Sequence, residues 1–300
     1  MALGYDKTLY ILAFDHRGSF KKMYGVSGEL TPEDHARICD GKSMIYEGFQ
    51  RAIADGSLTR EEGGVLVDEE FGTDVARKAK AEGVNLAMPV EKSGQDEFDF
   101  EYGEQFADHI LDFDPTFSKV LVRDNPEWDK EMRHRQWGRL KRLSDWLHGN
   151  DRKFLYELLV PATAAQLEDV GGDEETYDQQ VRPRLMLQII EETQDFGVEP
   201  DIWKIEGLED REQCRQIAEL VRRGGRDQVS CVVLGRGADD AKVDAWLRAA
   251  TGLPGYVGFA IGRSIFGASI KGVGDGTMDR EAATALIARN YARFIDVYRR

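Results

Sequence analysis

The chain has 300 residues, 41% of them hydrophobic and 32% charged, enough for a sizeable core in one large domain or two small ones. Its formal charge of −15 argues against nucleic acid as a partner, because a phosphate backbone wants a basic face. Three widely spaced cysteines (Cys39, Cys214, Cys231) form no C-x-x-C pair, Asp6 and Lys7 interrupt the N-terminus, and no stretch approaches about 18 uncharged apolar residues, which predicts a soluble cytoplasmic protein without membrane association.

In chain order, the apolar run at 9–14 predicts a first strand, tipped by Asp15-His16-Arg17-Gly18. Thr31 followed by Pro32 is an N-cap with proline at the first helical position, so a helix is expected over 33–54. The pattern then recurs. Strands are expected over 64–67, 84–90, 119–122 and 153–160, and helices over 74–82, 101–112 and 127–148. The strand tips carry Asp68-Glu69-Glu70, Glu91-Lys92-Ser93-Gly94 and Arg123-Asp124, and Glu157 sits in the middle of the fifth strand. After a long polar loop to about residue 176, helices over 177–196, 209–223, 239–251 and 279–298 alternate with strands over 201–206, 229–234 and 256–261. Gly83, Gly149, Gly197 and Gly224 mark helix ends.

Eight strand-then-helix units call for right-handed crossovers and a parallel sheet, and in a chain close to the usual barrel length of roughly 250 residues they predict a single (β/α)8 TIM barrel spanning residues 1–300. An open doubly wound sheet would need a glycine-rich fingerprint after an early strand. Gly235-Arg236-Gly237 follows the seventh strand instead, with Asp240 where the third glycine belongs, so a dinucleotide site is set aside.

The sixth strand, Asp201-Ile202-Trp203-Lys204-Ile205-Glu206, carries a lysine where a buried strand normally carries a hydrophobe. A cation in that position must be paired, solvated from a cavity, or neutral, and a neutral amine is a nucleophile. The simpler reading is an edge-strand lysine that snorkels to water. Barrel enzymes gather their chemistry at the C-terminal strand ends, which would bring Asp15, Asp68, Lys92, Arg123, Glu157, Lys204, Arg236 and Arg263 around a polar, anionic substrate. For Asp68, Glu91 and Arg236 the simpler role is that of a solvated loop residue or helix cap. Glu157 and Lys204 resist that reading because each interrupts an apolar strand. If both point inward, period two places Leu155 and Leu159 beside Glu157, and Ile202 and Glu206 beside Lys204.

Asp15 on strand one, Lys92 and Arg123 on strands three and four, Glu157 on strand five, Lys204 on strand six and Gly262-Arg263 on strand eight resemble the order of the class I, Schiff-base-forming sugar-phosphate aldolases. Leu12-Ala13-Phe14-Asp15-His16-Arg17-Gly18 and Ile202-Trp203-Lys204-Ile205-Glu206 look most like the tagatose-bisphosphate aldolases and the aldolase-like domain of bacterial inositol catabolism. The second likeness covers nearly the whole chain, without the kinase domain fused to it there. Arg123 stands where many members carry a lysine.

The resemblance implies cofactor-free cleavage of a ketose phosphate, and its inositol branch implies 2-deoxy-5-keto-gluconate 6-phosphate, giving dihydroxyacetone phosphate and malonate semialdehyde. It assigns Lys204 as Schiff-base nucleophile, Glu157 to proton movement in carbinolamine dehydration, and Asp15 to the hydroxyl beside the breaking bond. Lys92, Arg123 and Asp68 would contact substrate. Gly235 and Gly262 would offer backbone N–H groups to the phosphate, with Arg236 or Arg263 as a fork.

Two other classes compete. A metal-dependent barrel lyase could use the strand-end carboxylates Asp68, Glu69 and Glu91, whereas the five histidines (His16, His35, His109, His134, His148) show no zinc-ligand spacing. A non-catalytic sugar-phosphate sensor would need only the phosphate cradle. Barrels of this kind commonly associate, and a homo-oligomer is compatible with the sequence.

Overall fold

The structure is a computed structural model in which residues 2–26 and 28–300 are described. β1 (Leu9–Ala13) leads to α1 (Gly18–Met23) and α2 (Pro32–Ala54), β2 (Gly63–Leu66) to α3 (Glu69–Ala81), and β3 (Asn85–Pro89) to a 3-10 turn and α4 (Phe106–Phe113). β4 (Phe117–Arg123) leads to α5 (Lys130–Gly149), and β5 (Lys153–Leu159) to α6 (Ala164–Asp169), α7 (Glu174–Thr176), a π-helical turn over Tyr177–Val181 and α8 (Arg182–Asp195). β6 (Ile202–Glu206) leads to α9 (Arg211–Val221), β7 (Ser230–Leu234) to α10 (Asp240–Ala250), and β8 (Tyr256–Ile261) to α11 (Arg263–Gly274) and α12 (Arg280–Arg299). The strands close in sequence order, all parallel, with β8 pairing β1, which is the expected (β/α)8 barrel.

Helices start where a short polar side chain satisfies an otherwise orphaned N–H. Thr31 accepts from Asp34, Asp129 from Met132, and Asp279 from Ala282. Asp68 does the same for Phe71 at 3.0 Å, so α3 begins at Glu69, five residues before the expected start, and two acids sit favourably in its first turn. α1, α6, α7 and α11 were not expected. α11 hides in the sequence because Gly267, Gly272 and Gly274 thin its helical pattern, although Ile265, Phe266 and Ile270 bury its apolar face.

Inside the barrel, Leu9, Ile11, Ala13, Leu66, Ala87, Phe117, Leu155, Ile202, Val232 and Ala260 form an apolar plug. Period two then carries the next inward positions to the C-terminal strand ends. There the plug gives way to Asp15, Lys119, Glu157 and Lys204. A larger core, including Phe49, Trp203, Phe259 and Tyr291, fills the space between strands and helices.

At the opposite end, the buried Asp201 carboxylate accepts from the backbone N–H of Gly4 (2.7 Å) and Phe154 (2.7 Å) and pairs with Lys153 (2.9 Å) and His148 (3.1 Å). This ties the N-terminal segment across the bottom of β5 and β6.

Candidate active site

Glu157 and Lys204 are register partners on β5 and β6, and Glu157 Oε1 lies 2.7 Å from Lys204 Nζ. The other oxygen of Glu157 lies 2.9 Å from Nζ of Lys119, a residue of β4. Lys119 also donates to Asp15 Oδ2 (2.8 Å) and Glu91 Oε1 (2.7 Å). One fully buried ammonium thus holds three carboxylates, and one of them holds the second lysine. These residues lie in an open cavity of about 370 Å³ at the C-terminal face of the barrel, whose mouth is lined by Arg17, Lys22, Lys92 and Arg123.

Burial alone would raise the Asp15 carboxyl, but the charges of Lys119 and Lys204 outweigh it and hold Asp15 well below the usual carboxylate range. Glu157 is lowered for the same reason. Lys119, despite burial, is pushed well above its ordinary value by Asp15, Glu157 and Glu91, so it is a fixed cation. His16, beside the cluster, is lowered to about 4 by burial, with Lys204, Lys42 and Arg263 adding to the effect against Asp15, so it is neutral at physiological pH.

The β1 tip is held from behind by Lys42 of α2. Its ammonium donates to the carbonyls of Phe14 (2.7 Å) and His16 (3.1 Å), on either side of Asp15, and pairs with Asp68. Arg17 reaches across to the backbone carbonyl of Glu91 (2.8 Å) and to Glu101 (2.6 Å). Both contacts fix the loops that carry acids into the cavity.

The structure therefore brings together Asp15, Glu157 and Lys204, with Lys92 and Arg123 at the mouth. Lys92 is exposed, and Arg123 donates to the Gln95 carbonyl at 3.0 Å. Neither enters the ion cluster. The strand-four cation in that cluster is Lys119, four residues below Arg123 on the same face of β4. Asp68 lies outside the cavity, buried against Lys42 and capping α3. Glu69 is paired with His109 and Glu91 with Lys119, so the three strand-end carboxylates of the metal alternative are drawn to three different partners.

Gly235, Arg236, Gly262 and Arg263 also lie outside the walls of the cavity. Arg236 is engaged by Asp178 (2.7 Å) and Glu206 (3.0 Å). Gly262 begins α11 with no side-chain cap, and a Cβ there would meet the Ala13 carbonyl at 2.3 Å and the His16 ring at 3.1 Å, so only glycine allows this approach of β8 to the β1 tip. Arg263 is exposed, with its guanidinium against Gly237 on the β7 loop, and among the described residues it makes no ion pair.

Sequence reading missed Lys119 as a site residue. The signal was the one that revealed Lys204, a lysine within an apolar strand, but the expected strand began at 119, which made the lysine look like a polar start. The strand begins at Phe117, two residues earlier, and places Lys119 inside.

The sequence model of a family described as an uncharacterized protein conserved in bacteria, DUF2090, matches residues 4–300. No curated protein matches the chain. Among solved structures, Cgl0159 from Corynebacterium glutamicum (Brevibacterium flavum) is similar over 98% of this chain and 88% of its own, with a TM-score of 0.58 and 18% identity, a likeness of fold. Among the described residues, no helix is long and apolar enough to cross a membrane.

Proposed function

The chain belongs to the DUF2090 family, and we propose that its barrel is a class I aldolase, a lyase that cleaves a ketose phosphate through a Schiff base on Lys204. The observation that carries this reading is the 2.7 Å approach of Lys204 to Glu157 on the floor of an open polar cavity. A lysine kept only for solubility belongs on an edge, in water. This one is 5% exposed inside a closed barrel, beside a carboxylate that can move protons.

The chemistry follows from the residues. The Lys204 amine attacks the keto carbon, and loss of water from the carbinolamine gives an iminium, an electron sink for the pair released when the adjacent C–C bond breaks. Glu157 moves protons during dehydration. Asp15, held as a carboxylate, accepts the proton of the hydroxyl whose carbon becomes the aldehyde. Lys119 keeps both acids charged and in place.

The N-terminus of α11, which has no side-chain cap, and Arg263, which makes no ion pair among the described residues, support a phosphate at the β7–β8 side of the opening, in keeping with how helix N-termini bind anions. Lys92 and Arg123 at the mouth suit a substrate with a second anionic end. The resemblance to the aldolase-like domain of inositol catabolism names such a substrate, 2-deoxy-5-keto-gluconate 6-phosphate, whose products are dihydroxyacetone phosphate and malonate semialdehyde.

The test is borohydride reduction of the protein in the presence of dihydroxyacetone phosphate, followed by peptide mass mapping. The expected result is one adduct on the peptide carrying Lys204. An adduct on Lys119 or Lys92 instead would keep the chemistry and move the nucleophile, and no adduct on any lysine would end the class I reading.

A further inference from the structure

Glu91 is the member of the ion cluster that this mechanism leaves without a task. It is buried, and its Oε1 accepts from Lys119 at 2.7 Å. Its Oε2 is buried with no hydrogen-bond partner among the described residues. Arg17 donates to the backbone carbonyl of Glu91 and to the Glu101 carboxylate, and its charge lowers the Glu91 carboxyl without a hydrogen bond to Oε2. An ionised carboxylate with one oxygen neither solvated nor paired is costly, and the usual relief is to take up a proton.

The neighbours make Glu91 the acid that takes it. Facing it are Asp15 and Arg17 from the β1 tip, Lys119 from β4, Glu157 from β5 and, beyond Glu157, Lys204 from β6, with Glu101 across Arg17. Asp15 and Glu157 each feel both lysines and stay ionised. Glu91 has Lys119 on one oxygen only. Burial, with Asp15 adding to it, outweighs that contact and the charge of Arg17 and pushes the Glu91 carboxyl up.

The contacts are also continuous. Lys204 to Glu157 is 2.7 Å, Glu157 to Lys119 is 2.9 Å, and Lys119 to Glu91 is 2.7 Å. We propose that Glu91 stores the proton that Lys204 must give up to become a nucleophile, receiving it along the chain through Glu157 and Lys119. This rests on the reading of Lys204 as the Schiff-base lysine. Lys204 loses one N–H to Glu157, Lys119 stays an ammonium throughout because it gives a proton to Glu91 in the same step as it takes one from Glu157, and Glu91 gains an O–H. Glu157 and Lys119 finish as they began, and no electrons change hands. The stored proton returns along the same chain when the carbinolamine hydroxyl departs as water.

Two measurements test this on the intact protein. The infrared difference spectrum between wild type and Glu91→Gln should show the carbonyl stretch of a protonated carboxyl in wild type at neutral pH, disappearing on alkalinisation. Its absence overturns the proposal. The rate of borohydride-trapped adduct formation with dihydroxyacetone phosphate should fall about tenfold or more in Glu91→Gln at neutral pH and recover as pH rises. Glu91→Asp, which retains a titratable group, should recover part of the rate at neutral pH. An unaltered pH dependence in Glu91→Gln, at unchanged melting temperature, overturns the role of Glu91 alone, whereas a wild type that forms no adduct on Lys204 overturns the lysine reading and this role with it.

Discussion

Lys204 and Glu157 face each other from adjacent strands with their charged heads 2.7 Å apart, and each interrupts an otherwise apolar run. A pair placed there for stability alone would be a poor bargain, since buried ion pairs often contribute little net stability against well-packed hydrophobes. The pair is therefore expected to matter for turnover. Glu157→Gln preserves size and removes the proton acceptor, so kcat for ketose-phosphate cleavage should fall about 10²- to 10⁴-fold with little change in KM. Steady-state kinetics decides it, and an unchanged kcat would reduce Glu157 to a structural counter-ion.

Lys119→Met should leave the carboxylates of Asp15, Glu91 and Glu157 buried around an apolar side chain. Removing one partner of a buried charge cluster costs about 3–5 kcal/mol. The loss should depend on pH. Asp15 and Glu157 are depressed in the folded protein, so the stability they contribute is present above their unfolded values of about 3.9 and 4.3 and lost as pH falls through the folded ones. The gap between wild type and variant in urea titrations should therefore narrow as the solution is acidified below about pH 4. A gap that widened on acidification would contradict the assignment of Lys119 as their common cation.

Arg263→Ala should raise KM for a phosphorylated substrate roughly 10- to 150-fold, the equivalent of about 1.5–3 kcal/mol of charge-assisted hydrogen bonding. Arg236→Ala should leave KM nearly unchanged, because Asp178 and Glu206 already engage that guanidinium. The reverse pattern would move the phosphate to the β7 loop.

Asp201→Asn tests the other end of the barrel. Burial favours the protonated acid, but His148, Lys153 and the N–H groups of Phe154 and Gly4 outweigh it and lower the carboxyl. Its stabilisation is present above about pH 3.9 and disappears as pH falls through the depressed value. The substitution should cost about 1.5–3 kcal/mol near neutrality and leave turnover at saturating substrate intact. Loss of turnover without loss of stability would show that the bottom of the barrel communicates with the cavity.

The barrel was legible in the sequence because its units repeat and its helix ends are marked by Thr31-Pro32, Gly83 and Gly197. Lys204 and Glu157 stood out for one physical reason, a charge inside a run that burial makes apolar. Lys119 obeys the same rule but lies near a strand end, where a shift of two residues in the boundary moves it from tip to interior. Arg123 drew attention in its place because a cation after the last hydrophobe looks like a pocket residue. Asp68 and Arg236 could not be sorted from sequence. Their partners, Lys42 on α2 and Asp178 in the π-helical turn, come from distant parts of the chain, and only tertiary packing decides whether a polar tip turns inward or is claimed by a neighbour.

The pairing of β8 with β1 bears on how the chain is made. Leu9 and Gly258 are register partners, and a Cβ at Gly258 would meet the Leu9 carbonyl at 1.9 Å, so the last strand closes on the first with almost no clearance. During synthesis β1 emerges early and β8 near the end, and until they meet each sheet edge carries unpaired N–H and C=O groups open to other chains. Glu157 and Lys204 can associate before closure, whereas Gly262 and Arg263 can reach the β1 tip only after it. A nascent chain stalled between those events would expose an adhesive edge, which makes completion of the ring the step most in need of protection during synthesis.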